Sequence, residues 1–295
     1  MNVRALAAVL CAASALGTAP GGLAAESGTL ARIKESGTVR IGYRESAVPF
    51  SWTRAGAAPR GYSIDLCLAI VEDLAKAAGK PLRVEYRVVT PETRLDLVAE
   101  GRIDLECGST TVTEEREKRV AFSPLIYVGG TRLLVKRGNA VYSLRDLTGK
   151  TVVAVAGTTN ARALLAQAGR TRDVRLRTTR GYDEAVTMLD TENADALAAD
   201  DVLLAGLLIE RRWHDRYIVV GDPITREPYA IAFPRDDATL AAAVYATFAR
   251  LATSGELRRV YGKWFLQPLP TGGTLGLPMG AHLSSVFKEL GLPPE

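Results

Sequence analysis

Asp104-Leu105-Glu106-Cys107-Gly108-Ser109-Thr110-Thr111-Val112-Thr113-Glu114-Glu115-Arg116 is the stretch on which the reading of this chain turns. Its start is strand-like, it breaks at Gly108 into hydroxyls, and it reaches an arginine through helix-favouring acids. It reads as a socket for a carboxylate. A turn after a strand presents free backbone N–H groups, Ser109, Thr111 and Thr113 add hydroxyl donors, and an arginine fork grips a carboxylate through two parallel hydrogen bonds. The same residues also suit an ordinary turn or helix cap, so the stretch has to be weighed with its neighbours.

Working outward, short β-branched runs alternate with amphipathic helices, the grammar of parallel α/β units. Thr38 to Tyr43 reads as a strand. A helix capped by Ser63 carries Ile64, Cys67, Leu68, Val71, Leu74, Ala75 and Ala78 at helical spacing and ends at Gly79. Leu82 to Val89 is a second strand. Thr90-Pro91 then opens a helix with proline at its first position, which sets Arg94 in the first turn. Ile103 to Cys107 is a third strand, and Glu114 to Val120 starts another helix. The pattern restarts after Thr131, with strands at Leu133–Lys136, Thr151–Ala154, Val174–Thr178, Ala194–Ala198 and Tyr217–Val220. Between them lie helices near Asn160–Ala168, Tyr182–Leu189 and Asp201–Glu210. Ala230 to Phe233 leads back, followed by helices at Asp236–Thr253, Gly255–Phe265 and His282–Leu290. The expected architecture is α/β in two lobes: 26–130 with 231–295, and 131–230. The crossings near 128–132 and 227–231 form a hinge, and a ligand belongs in the cleft between the lobes, at the carboxyl ends of strands.

The chain opens with Met1 to Arg4 and the apolar run Ala5 to Leu16, too short to span a membrane, and small residues precede Glu26. This predicts a secretory signal over 1–25. Cys11 raises a lipoprotein reading, but Leu10 stands before it where a small residue is expected. The formal charge is +4, with Lys and Arg scattered among acids; there is no basic stripe with interleaved aromatics, so nucleic acid is not expected as a partner. His214 and His282 stand alone, without metal-ligand spacing, and no cofactor is expected. Cys67 falls on the apolar face of a helix and Cys107 ends the neighbouring strand; in an oxidising compartment a disulfide is favoured over two separate buried thiols.

The central stretch has three companions: Gly42-Tyr43-Arg44-Glu45-Ser46-Ala47-Val48-Pro49-Phe50, Ala156-Gly157-Thr158-Thr159, and Ala199-Asp200-Asp201. In order and spacing these segments resemble the periplasmic amino-acid-binding proteins of ABC transporters, above all the glutamate/aspartate branch, over about Leu30 to Pro270. The resemblance implies a type II two-lobed binding-protein fold, a monomer in the periplasm, and delivery of an amino acid to an inner-membrane permease. It implies that Arg116 grips the ligand's α-carboxylate and that Asp200 holds its α-ammonium, with Asp201 left to cap the following helix. Arg44 and Arg94 match arginines placed around the side-chain carboxylate. As extra buried cations they also penalise neutral and basic ligands. Ser109, Thr111, Thr158 and Thr159 complete the set, the last two doubling as caps of a helix whose N-terminus suits an anion.

Two departures from that pattern stand out. Pro91 replaces a serine, losing a hydroxyl and an N–H, and Tyr182 replaces a histidine, so one hydrogen bond survives but no cation. Two other functions use the same fold. An enzyme resembling the cyclohexadienyl dehydratases needs a cleft acid placed for proton transfer; Glu45 is the candidate, yet alternation points it away from Arg44, and no catalytic set accompanies it. A receptor's sensor domain would bind the same ligand but would be joined to a membrane helix or kinase.

Overall fold

The computed structural model describes residues 28–54, 56–168 and 173–294; the expected signal over 1–25, with Cys11, lies outside the described residues. The first half of the chain runs through α1 (Thr29–Ser36), β1 (Thr38–Tyr43), the small strands β2 (Ser46–Ala47) and β3 (Ser51–Trp52), α2 (Tyr62–Ala78), β4 (Arg83–Val88), α3 (Arg94–Ala99), β5 (Leu105–Thr111), α4 (Glu114–Glu117), β6 (Val120–Phe122) and β7 (Tyr127–Gly129). Next come β8 (Thr131–Lys136), β9 (Thr151–Val155), α5 (Thr159–Ala168), β10 (Arg175–Thr179), α6 (Tyr182–Asp190), β11 (Ala196–Asp200), α7 (Asp201–Arg211) and β12 (Tyr217–Val220). The chain ends with β13 (Glu227–Pro234), α8 (Ala238–Thr253), α9 (Glu256–Phe265) and α10 (Ala281–Glu289).

Besides the small antiparallel pair β2-β3, these strands make two large sheets, ordered β4-β1-β5-β13-β6, with β7 also on β13, and β10-β9-β11-β8-β12. Each has a parallel core, β4-β1-β5 and β10-β9-β11, closed on one side by antiparallel strands. The chain passes between the sheets at Gly130 and again through 221–226. Strand β13 begins at Glu227, so residues 227–230, read from the sequence as lying before the return, already pair with the first sheet.

Four local expectations change. The central stretch does not break at Gly108, because β5 continues to Thr111, where β13 supplies an antiparallel partner: Thr111 faces Tyr229 and Thr110 faces Ala230. The irregularity falls between Ala230 and Ala232, so the bend expected at the glycine is a register shift in the ladder. The helix after Thr113 lasts one turn, since Val120–Phe122 pairs with Ala232–Pro234. Ser63 does not cap α2; Gly61 stands at the cap, and the Ser63 hydroxyl donates instead to the Gly108 carbonyl at 2.7 Å. Pro91 sits in the turn before α3, whose first residue is Arg94, with the Arg94 N–H on the Thr90 carbonyl at 3.0 Å.

Below the crossings lies an aromatic cluster. Phe50 meets Tyr62, Tyr127, Tyr229 and Phe265 edge-on, at 5.1–6.1 Å between ring centres. Tyr127 and Tyr229 belong to β7 and β13, so the strands entering and leaving the hinge are both seated in this core. Cys67 of α2 and Cys107 of β5 form a disulfide, with Cα atoms 6.3 Å apart.

Candidate ligand-binding site

The two sheets bring the sequence-predicted residues together from both sides. From the first come Arg44, just past β1, Arg94 at the start of α3, Ser109 and Thr111 on β5, and Arg116 on α4; all five are buried. From the second come Thr158, Tyr182 and Asp200, also buried, and Thr159, half-buried at the start of α5. Glu45 points to solvent while Arg44 points inward, the alternation expected of a strand end.

The guanidiniums of Arg94 and Arg116 face carbonyl oxygens rather than acids. Arg94 Nη1 donates to the Ser109 carbonyl at 3.2 Å. Arg116 Nη1 donates to the Thr111 carbonyl at 2.8 Å, and its Nη2 reaches across to the Gly157 carbonyl at 3.4 Å. Among the described residues none of Arg44, Arg94 and Arg116 has a carboxylate within ion-pair distance. Arg94 Nε is buried without a partner. Burial and the neighbouring Arg94 lower the Arg44 guanidinium to about 10 and that of Arg116 to about 9, so both remain charged at neutral pH. Concentrated cations of this kind call for an anion.

Asp200 stands at the N-cap position of α7 but makes no cap bond. Its Oδ1 accepts from Asn160 Nδ2 at 2.6 Å and its Oδ2 from the Tyr229 hydroxyl. Burial and the nearby Glu227 push its carboxyl up to about 7, against the pull of those two hydrogen bonds. Asp201, expected to cap the helix, accepts from the Val202 N–H at 2.7 Å and the Gly130 N–H at 3.3 Å, tying α7 to the crossing. The Thr158 hydroxyl is committed to a local cap, donating to the Val155 carbonyl at 2.6 Å and accepting from the Ala161 N–H at 3.1 Å. The Tyr182 phenol is held protonated by burial and by Asp200, with Arg44 and Arg94 opposing.

Two hydroxyls differ from expectation. Thr111 and Thr159 were read as donors or caps, but both donate to Glu227 Oε2, at 2.7 and 2.6 Å, with their oxygens 3.4 Å apart. Glu227 and Glu106 are the acids the sequence reading missed, together with Asn160 and Tyr229. Glu106 is fully buried, its Oε2 accepting from Thr110 at 2.5 Å and its Oε1 unpartnered. A charged residue inside the otherwise apolar run Leu105–Cys107 was the available signal. Gly108 is needed beside it, since a Cβ there would lie 2.3 Å from Glu106 Oε1 and 3.0 Å from Arg44 Cγ.

Backbone approaches close the cleft. Gly157, at φ 73°, leaves no room for a Cβ, which would fall 2.7 Å from the Glu92 nitrogen. Grooves of about 490 and 620 Å³ open on the two sides of the cluster, one lined by Arg116, Gly157 and Thr158, the other by Arg44 and Tyr182, with Pro91 in the wall of both. Altogether the site can clamp a small anion carrying one cationic group.

Comparison with known proteins agrees with this architecture. The family model of bacterial extracellular solute-binding proteins, family 3, matches residues 39–267. The chain is 40% identical over 266 residues to the L-glutamate/L-aspartate-binding protein of Pseudomonas aeruginosa, covering 88% of each. It is 35% identical over 269 residues to the glutamate/aspartate import solute-binding protein of Escherichia coli, covering 90% of this chain and 89% of that one. Among solved structures, an ancestral amino acid-binding protein described as a precursor of cyclohexadienyl dehydratase superposes with a TM-score of 0.70 at 28% identity, covering 80% of this chain and 99% of that one. By sequence match and by its two-lobed α/β fold, this chain belongs to the bacterial extracellular solute-binding proteins of family 3.

Proposed function

We propose that this protein is the substrate-binding component of an amino-acid ABC transporter, that it takes L-glutamate or L-aspartate in the cleft between its lobes, and that it hands the ligand to an inner-membrane permease. The observation that carries the reading is the set of buried guanidiniums, Arg44, Arg94 and Arg116, none of which has a carboxylate within ion-pair distance among the described residues, with Arg94 and Arg116 held only by carbonyl oxygens. Arg116 meets the α-carboxylate, Arg44 and Arg94 meet the side-chain carboxylate, and Asp200 meets the α-ammonium. Ser109 and Tyr182 line the same space, and the Thr158 cap holds the α5 N-terminus toward it. The relatives named for glutamate and aspartate support the ligand class. The two lobes, expected from the sequence as 26–130 with 231–295 and 131–230 and divided by the strand pairing at Glu227, act as the two jaws, and the mature protein works as a periplasmic monomer without catalysis.

The test is calorimetric titration of the protein with the twenty amino acids. Glutamate and aspartate should bind far more tightly than glutamine, asparagine, arginine or histidine. Tight binding of a basic amino acid with no response to glutamate would sink the reading.

A further inference from the structure

Glu227 lies at the first position of β13, where the chain returns from the second lobe, and it is 2% exposed. Its carboxylate accepts from the site hydroxyls of both lobes: Oε2 takes the protons of Thr111 and Thr159 at 2.7 and 2.6 Å. Oε1 takes the proton of Thr225 at 2.5 Å. A carboxylate only accepts, and a threonine hydroxyl has one proton to give. The directions of these three hydroxyls are therefore fixed.

The consequence runs further along the hinge. With its proton on Glu227, the Thr225 oxygen accepts from the Thr131 hydroxyl at 2.7 Å, and Thr131 in turn accepts from Asn160 Nδ2 at 2.6 Å. The second Asn160 proton goes to Asp200. Glu227 and Asp200, two acids on different strands, thus orient every proton between them. What remains free on Thr111 and Thr159 is lone pairs, which attract a cation's hydrogens and repel a carboxylate.

We propose that Glu227 is a positioning residue that makes the α-ammonium group a requirement for binding, by holding Thr111 and Thr159 as acceptors rather than donors. This rests on the acidic-amino-acid reading above. It assigns the discrimination between an amino acid and a plain dicarboxylate to a residue outside the predicted binding set.

The experiment compares L-glutamate with glutarate, which lacks only the ammonium, by titration of the wild type and of two variants. Glu227→Gln keeps the shape but puts an amide nitrogen at one end of the carboxylate. Turned toward Thr225 it would make Thr225 donate to Thr131 and leave the buried Thr131 proton with no acceptor among the described residues, so it turns toward Thr111 and Thr159 and makes them donors. Thr159→Val leaves Glu227 in place and removes one of the oriented oxygens. Each variant should lose about tenfold or more of the preference for glutamate over glutarate while glutarate affinity holds or improves; a general loss of structure would weaken both ligands together. An unchanged preference in either variant, or a wild type that binds both ligands equally, overturns the proposal. A wild type with no affinity for glutamate fails the acidic-ligand reading instead.

Discussion

Gly206 of α7 faces the carbonyl oxygen of Val48 so closely that a Cβ at Gly206 would lie 2.2 Å from it. Val48 lies between β2 and β3 beside the first sheet, and α7 follows β11 of the second, so the contact spans the two lobes. The missing side chain is what lets the lobes approach.

Gly206→Ala therefore separates folding from closure. Glycine inside a helix costs about 0.5–1 kcal/mol relative to alanine, so the variant's ligand-free unfolding midpoint should hold or rise. Ligand affinity should fall, and small-angle scattering should show a smaller decrease in radius of gyration on adding glutamate than in the wild type. An undiminished compaction would show that the lobes close without this contact.

Arg116→Ala should weaken every ligand if, as proposed, Arg116 meets the α-carboxylate that all amino acids share. Truncating one partner of a buried charge pair costs about 2–5 kcal/mol, which titration calorimetry resolves easily.

Arg94→Ala should act differently, reducing the ratio of glutamate to glutamine affinity more than the affinity for glutamine itself. Its Nε has no partner and its Nη1 holds only the Ser109 carbonyl, so the guanidinium charge is uncommitted. An unchanged ratio would remove Arg94 from side-chain recognition.

The Asp200 carboxyl, raised to about 7, predicts a pH dependence. In the ligand-free protein a raised acid contributes stability that is present below the unfolded value and is lost as pH rises through about 7. A ligand ammonium favours the ionised form, so binding below that pH releases a proton, and affinity should fall by up to about tenfold per pH unit on acidification. Calorimetry in buffers of different ionisation enthalpy reads the released proton directly, and Asp200→Asn should abolish it.

Much of the fold is legible in the sequence because hydrophobic period is local: Thr38–Tyr43 and Tyr217–Val220 are strands with the expected bounds. The exceptions are decided at long range. Gly108 looks like a break until β13, more than a hundred residues later, extends the ladder to Thr111, and the helix after Thr113 is cut short by the same strand. In the candidate site, Arg44, Arg116 and Asp200 stand in the stretches that carry the family resemblance, and Arg94 is reached through that resemblance. Glu227, Asn160 and Tyr229 cannot be read this way, because their partners within the molecule are threonines and an aspartate brought near only by folding.

The Cys67–Cys107 disulfide fastens α2 to the strand that carries Glu106, Ser109 and Thr111, so one face of the cleft is locked in place before any ligand arrives. The covalent tie lies wholly within the first sheet's half of the molecule, and the described residues contain no counterpart in the second. Recognition is accordingly lopsided: one wall behaves as an anvil whose shape is set at oxidation, and the search for a fitting geometry is left to the other wall. Cutting that tie would loosen the strand bearing Ser109 and Thr111 from the helix behind it, while the opposite wall, held by packing and hydrogen bonds, would keep its fastenings unchanged.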